Sequence, residues 1–147
     1  MTSRSNPGPL CFRVYLEDTD AGGIVYHTTY LRWMERARTE ALRSAGVEQS
    51  ECFKADVSFV LHSMNLRFVT AAALDDEIVV SCELHTRSGA SLTFRQSVAN
   101  QRTGRVHCTA EVVVACISLQ TKRPRRIPSH MVDKFTLAGA AQAAEPE

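Results

Sequence analysis

The sequence predicts an α+β fold in which a mainly antiparallel sheet curls around one long helix. Three observations carry that expectation. Apolar side chains recur at helical spacing over residues 28–45, they alternate with polar ones over most of the second half, and no second helix of comparable length offers itself as a packing partner. A helix with only a sheet to lie on must bury its apolar stripe there, so the sheet has to bend round it.

Residues 1–10 and 138–147 read as flexible tails, the latter small and polar with no periodic apolar face, which places the folded domain at 11–137. Residues 11–16, rich in aromatic and branched side chains, form the first strand candidate. It ends at Glu17-Asp18-Thr19-Asp20-Ala21-Gly22-Gly23, a loop by composition, because paired glycines open backbone angles closed to other residues. The long helix is expected to start near Thr28 or Thr29, either of which can cap exposed amides. Tyr30, Met34, Ala37, Ala41 and Leu42 share its apolar stripe, and Gly46 follows as a natural C-cap. Eighteen residues at 1.5 Å each make about 27 Å of helix. Residues 48–54 add a turn.

The remaining elements are strands. Residues 57–68 are apolar in a phase that slips near His62, where a bulge is expected. Ile78, Val80, Cys82 and Leu84 alternate with polar neighbours, and Leu92, Phe94 and Val98 repeat the pattern after Arg87-Ser88-Gly89. Asn100-Gln101-Arg102-Thr103-Gly104 is a turn. Residues 106–119 follow. Their segment 112–117 is apolar on both faces, the pattern of a central strand covered twice.

With 44% hydrophobic and 22% charged residues, the composition is that of a globular domain and excludes a disordered or fibrous chain. A net charge of +1 supplies no global field for nucleic acid or an anionic membrane, so an anionic ligand would need a local basic cluster. No apolar run reaches the roughly 20 residues of a spanning helix, so stable membrane insertion is not expected. The five scattered cysteines, with no C-x-x-C pair, fit free thiols in a reducing compartment, and a cytoplasmic protein is expected.

The chemistry concentrates just before the long helix. Asp18 to His27 places carboxylates in a glycine loop and follows them with a helix N-terminus, whose first amides lack internal acceptors and sit at the positive end of the helix dipole. Such amides, here those of Tyr26 to Thr28, can hold the oxyanion formed when a thioester carbonyl is attacked, and a nearby carboxylate can attack that carbonyl or activate water.

The run Arg13-Val14-Tyr15, Glu17 to His27, Tyr30-Leu31 and Glu35-Arg36-Ala37-Arg38-Thr39-Glu40 resembles the signature of the Tol-Pal-associated acyl-CoA thioesterases. These stand in the 4-hydroxybenzoyl-CoA thioesterase-like branch of the hotdog superfamily. The likeness covers roughly residues 11–137 and is densest at 13–43. It implies a hotdog fold, hydrolysis of acyl-CoA without a metal or other cofactor, and a homodimer or homotetramer. It implies Asp20 as the catalytic carboxylate and the His27 backbone amide as the group that polarises the thioester. Arg123-Pro124-Arg125 with Ile127-Pro128 is similar to the family's K-P-R-x-x-P segment, with Arg123 where lysine is commoner. Lys122, Arg123, Arg125 and Arg126, four cations within five residues, would then hold the nucleotide phosphates of coenzyme A.

Each reading has a plainer rival. Asp20 before glycines is a common turn residue, Tyr26 more naturally packs beside a pocket than donates a proton, and a run of cations is ordinarily a solvated surface. His62, His85, His107 and His130 share no metal-ligand spacing, and no cysteine stands near a base motif. The rival functions are a hotdog enoyl-CoA hydratase, which would use Asp20 and His27 to add water across a double bond, and a non-catalytic acyl-CoA-binding or envelope-associated partner module.

Overall fold

The computed structural model describes residues 9–135; of the tails expected at 1–10 and 138–147, all but residues 9 and 10 lie outside them. Strand β1 (Leu10–Arg13) starts one residue earlier than expected and ends well before residue 16, because Leu16–Asp18 winds into a single 3₁₀ turn. Helices α1 (His27–Ser44) and α2 (Gln49–Lys54) follow, then strands β2 (Ser58–Phe68), β3 (Glu77–Arg87), β4 (Ser91–Asn100) and β5 (Val106–Ile117), and a short helix α3 (Ser129–Val132) that the sequence did not signal.

The strands form one antiparallel sheet in the order β1-β3-β4-β5-β2. The expected bulge is present: the β2/β5 register shifts between Leu61 and Ser63. Further shifts fall between Leu84 and Thr86 in β3 and between Val98 and Ala99 in β4. Bulges bend a strand and raise its twist, which is how this sheet wraps a helix.

Helix α1 packs on β3 and β4. Its buried face is Thr29, Tyr30, Trp33, Met34, Ala37, Arg38 and Leu42, so the stripe is wider than expected and includes an arginine, while Ala41 is only half-buried. Opposite it stand Ile78, Val80, Leu92, Phe94, Val98, Val112 and Cys116, all buried. In β5, Val112, Val114 and Cys116 face this core, whereas Val113, Ala115 and Ile117 on the far side are half-buried. The strand expected to be central and doubly covered is therefore next to the edge and fully covered on one side; an apolar run reports that two faces are dry-adapted but not what lies on them.

Neither threonine caps α1. The N-cap is Tyr26, with no side-chain cap bond, and the helix begins at His27. Its far end behaves as expected. Gly46 lies in the left-handed region (φ 89°), its amide donates to the Arg43 carbonyl at 2.9 Å, and Val47 N–H donates to Leu42 at 2.9 Å, with Leu42 and Val47 both buried. That is a Schellman ending with its apolar clasp.

Gly46→Ala should destabilise the fold by about 1 kcal/mol, since a Cβ at Gly46 meets nothing closer than Lys134 Cδ at 3.7 Å and the cost is left-handed backbone alone. Urea unfolding should show a lower midpoint at unchanged slope; an unaltered midpoint would refute the assignment.

Candidate active site

The acidic loop is held at both ends by main-chain bonds. Asp20 N–H donates to the Ile24 carbonyl at 3.0 Å, Gly23 N–H to the Asp20 carbonyl at 3.0 Å, and Val25 N–H to Ala72 at 2.8 Å. Gly23 takes φ 80°, which favours glycine. Asp20 itself is exposed; its Oδ1 accepts the Gly22 amide at 2.8 Å, and among the described residues no donor lies on Oδ2. A Cβ on Gly22 would stand 3.3 Å from Oδ1, so this glycine gives the carboxylate its place as well as its turn. One oxygen is anchored and the other faces out.

Asp18 behaves differently. It is buried, Oδ2 accepts the Tyr15 amide at 2.9 Å, and Oδ1 lies 3.6 Å from Arg32. Its carbonyl accepts two bonds, from Tyr26 N–H at 2.9 Å and from the Thr29 hydroxyl at 3.2 Å. Asp18 thus ties the loop to the first turn of α1. Glu17 is exposed in the 3₁₀ turn.

This tie decides which helix amides are free. The Tyr26 amide is consumed by Asp18 and the Thr29 amide by the Tyr26 carbonyl at 2.8 Å. His27 and Thr28 N–H have no acceptor among the described residues and lie at the positive end of an 18-residue helix. Beside them, the Tyr26 and His27 rings sit 4.5 Å apart, and His27 meets the edge of Phe68 at 6.4 Å. Tyr30 is tied inward: its hydroxyl accepts the Ala72 amide at 3.1 Å, and burial pushes its pKa up. Exposed Ile24, Tyr26, Phe68 and Val69 make the surroundings apolar.

A turn further along α1, from Leu31 to Leu42, an open cavity of about 370 Å³ lies between the helix and β2, β4 and β5. Arg32, the partner of Asp18, and Arg38 both line it. Nothing in the sequence distinguished Arg38 from the exposed arginines around it.

The cations fall elsewhere. After β5 the chain folds back on itself, with Ser118 N–H donating to Arg123, Arg125 N–H to Cys116 and Ile127 N–H to Gly89. Lys122 (φ 63°), Arg123 and Arg126 are exposed, and Arg126 lies over Gly89. Arg125 is half-buried and donates to the carbonyls of Ala55 and Asp56 at 3.4 and 3.1 Å, so it closes the end of α2. Asp56 accepts the Ser118 hydroxyl at 2.6 Å and the Gln120 amide, and these bonds hold its carboxyl below the usual range. Asp20 sits at the Val106 end of β5, through Ala72 and the Val69–His107 bond; the cations sit at the Ile117 end. At about 3.3 Å per residue, roughly 30 Å of strand separates them within one chain. Asp20 stands on the loop that leads into the Tyr26–His27 start of α1, and Lys122, Arg123, Arg125 and Arg126 are not brought to it.

Among the described residues no three His, Cys, Asp or Glu side chains converge to hold a metal, and no helix is long and apolar enough to cross a membrane.

A bent antiparallel sheet around one long helix, with a carboxylate loop at the helix start, is a hotdog-fold enzyme of the thioesterase class. The chain belongs to the thioesterase-like superfamily, which it matches over residues 14–135. It is 39% identical over 123 residues to the acyl-CoA thioester hydrolase YbgC of Escherichia coli, covering 84% of this chain and 91% of that protein. Among solved structures, a probable thioesterase from Bartonella henselae superposes with a TM-score of 0.75 at 30% identity, over 82% of this chain and 98% of that one. The 1,4-dihydroxy-2-naphthoyl-CoA thioesterase of Synechocystis shares the fold at a TM-score of 0.79 and 18% identity, over 95% and 98% of the two chains.

All five cysteines are free, and burial pushes Cys82 up to about 12 and Cys108 up to about 11 from 9.0. In the fold these thiols keep protons that the unfolded chain releases above pH 9, so stability should fall as pH rises from about 9 towards 12. At pH 8 a thiol reagent should label exposed Cys11 first and the buried cysteines only on unfolding; fast labelling of Cys108 in the folded protein would contradict this.

Proposed function

We propose that this protein hydrolyses acyl-CoA thioesters to the free acid and coenzyme A, as a member of the Tol-Pal-associated, 4-hydroxybenzoyl-CoA thioesterase-like branch. The observation that carries the reading is the pairing of Asp20, whose Oδ2 is unengaged, with the free His27 and Thr28 amides one short loop away. Likeness to YbgC, described as an acyl-CoA thioester hydrolase, supports the substrate class.

The thioester carbonyl oxygen accepts the His27 and Thr28 amides, which stabilise the negative charge as the carbonyl carbon becomes tetrahedral. Asp20 either takes a proton from the attacking water or attacks the carbon itself. The C–S bond then breaks, and the coenzyme A thiolate leaves and is protonated. In the second route, water cleaves the resulting anhydride. The oxyanion role expected for Tyr26 to Thr28 narrows to two amides, because the Tyr26 amide serves Asp18. The Tyr26 and His27 rings and Phe68 line the approach of the acyl group.

We further propose that Lys122, Arg123 and Arg126 hold the nucleotide phosphates, in a dimer or tetramer where one copy's cations serve another's acidic loop. Their separation from Asp20 within one chain supports this, as do the edges of β1 and β2 and the exposed apolar residues around the loop. Five free thiols support a reducing, cytoplasmic setting.

Asp20→Asn keeps the side chain's shape and removes its charge, so kcat for thiol release from an acyl-CoA panel should fall about 10²–10⁴-fold with KM little changed. Asp18→Asn separates the two roles: it weakens a structural tie, so its cost should appear chiefly in stability. Near-normal turnover by folded Asp20→Asn would overturn the site. Single-turnover hydrolysis in ¹⁸O water should place label in the Asp20 carboxylate only along the anhydride route.

Changing Arg123 and Arg126 together to Ala should raise KM for CoA esters far more than it lowers kcat, since phosphate contacts are equal in ground and transition states. Esters of a truncated pantetheine thiol should be spared. Mixing this variant with Asp20→Asn under subunit exchange should restore activity to part of the sites; a monomer in light scattering, or no restoration, would refute sites shared between copies.

A further inference from the structure

Arg38 is the buried charge that the proposed reaction leaves unused. It is 8% exposed, on the sheet-facing side of α1. Its Nη1 donates to Gln96 Oε1 at 3.0 Å, and Gln96 Nε2 donates in turn to the Met34 carbonyl at 2.9 Å. The amide of Gln96 is therefore oriented by the helix backbone, and it holds the guanidinium in one position. A guanidinium carries five N–H donors and stays protonated in proteins. Among the described residues no carboxylate lies within ion-pair distance of it. Glu35 stands exposed at the rim of the same cavity, with Oε2 3.4 Å from the Thr39 hydroxyl. Burial lowers the pKa of Arg38, and the Glu35 carboxylate opposes that shift without reaching ion-pair distance. Buried charges are ordinarily paired, because a lone one is costly to take out of water.

The guanidinium belongs to the wall of the cavity along α1, whose other walls are mainly apolar: Leu31, Phe59, Met64, Phe94 and Val114. The cavity starts about one helical turn from His27, at Leu31 and Arg32, and Arg32 also reaches Asp18 at 3.6 Å. From His27 to Arg38 the axis rises about 16 Å, somewhat less at the side chain, which tilts towards the helix N-terminus.

We propose that this cavity receives the acyl chain of a medium-length substrate that carries a carboxylate at its far end, with Arg38 as the residue that selects it. The inference rests on the thioesterase reading, which supplies the thioester end at His27. The apolar walls take the methylenes, and the fixed guanidinium takes the terminal carboxylate through the donors that Gln96 leaves free. Gln96 is a positioning residue in this arrangement.

The test compares plain acyl-CoA esters with ω-carboxyacyl-CoA esters of equal length, for the full chain and for Arg38→Met and Gln96→Glu. The second variant supplies a carboxylate to Arg38 from within and guards against misfolding of the first. The native protein should favour the carboxylated series in kcat/KM by about ten- to a hundredfold at medium length, the range of a hydrogen-bonded charge. Both variants should bring that ratio close to one. A native ratio near one, or variants that lower both series alike, would overturn the proposal. So would dissociation of Arg38→Met oligomers with an unchanged ratio, which would give Arg38 to a neighbouring copy's carboxylate. Calorimetry of a free α,ω-dicarboxylic acid against the matching monocarboxylic acid separates the two readings. Selective dicarboxylate binding, lost in Arg38→Met, would keep the cavity assignment even if no thioester were cleaved. Absence of that selectivity would remove the assignment even if plain esters were cleaved.

Discussion

The seat of α1 on a single sheet is the constraint from which the rest of the structure follows. Tyr30, Trp33, Met34, Ala37 and Leu42 have β3 and β4 to bury against, and large apolar side chains gain about 1.5–3 kcal/mol each by doing so. That seat fixes where the helix begins. With Thr29 and Tyr30 buried at its first turn, the Thr29 hydroxyl reaches the Asp18 carbonyl and the Tyr30 hydroxyl meets Ala72. Both contacts tie the acidic loop to the helix and the sheet end together. Asp20 is held in place by a loop whose anchors are all main-chain or structural, which leaves its own outer oxygen free.

The same seat explains the cavity. A helix centred over β3 and β4 does not cover β2, so the concave surface is left open along one flank, beside Leu31 to Leu42. Placing an arginine and a glutamine inside that flank is expensive in isolation. Their mutual bond and the Met34 carbonyl satisfy Gln96 and orient Arg38, but not all of its donors. A core that keeps such a group, in a fold otherwise packed with aliphatic and sulfur side chains, leaves a fixed positive charge on its open flank.

Charge is arranged in two places. The carboxylates Asp18 and Asp20 gather at the start of α1, and Lys122, Arg123 and Arg126 at the far end of β5, behind a turn stabilised by Asp56 and Ser118. Arg125 belongs to that turn rather than to solvent. Screening makes charges tens of ångströms apart nearly independent, so within one chain neither centre tunes the other.

Much was legible in the residues themselves. The Gly46 ending, the bulge near His62 and the Asn100 to Gly104 turn are local, set by periodicity and backbone preference, and each stands where the pattern places it, as does most of the helical stripe. So does the junction of acidic loop and helix start, because loop and helix adjoin in sequence. The rest required long-range contacts. The position of β5 beside an edge, the burial of Arg38 against Gln96 58 residues away, and the loss of the Tyr26 amide to Asp18 depend on which surfaces meet. Periodicity says which side of an element avoids water, and resemblance says which residues to watch. Only the tertiary structure decides which donors are already spent, which charge is left without a counter-ion, and how far apart two clusters lie, because those are properties of distances between segments that the sequence lists far apart.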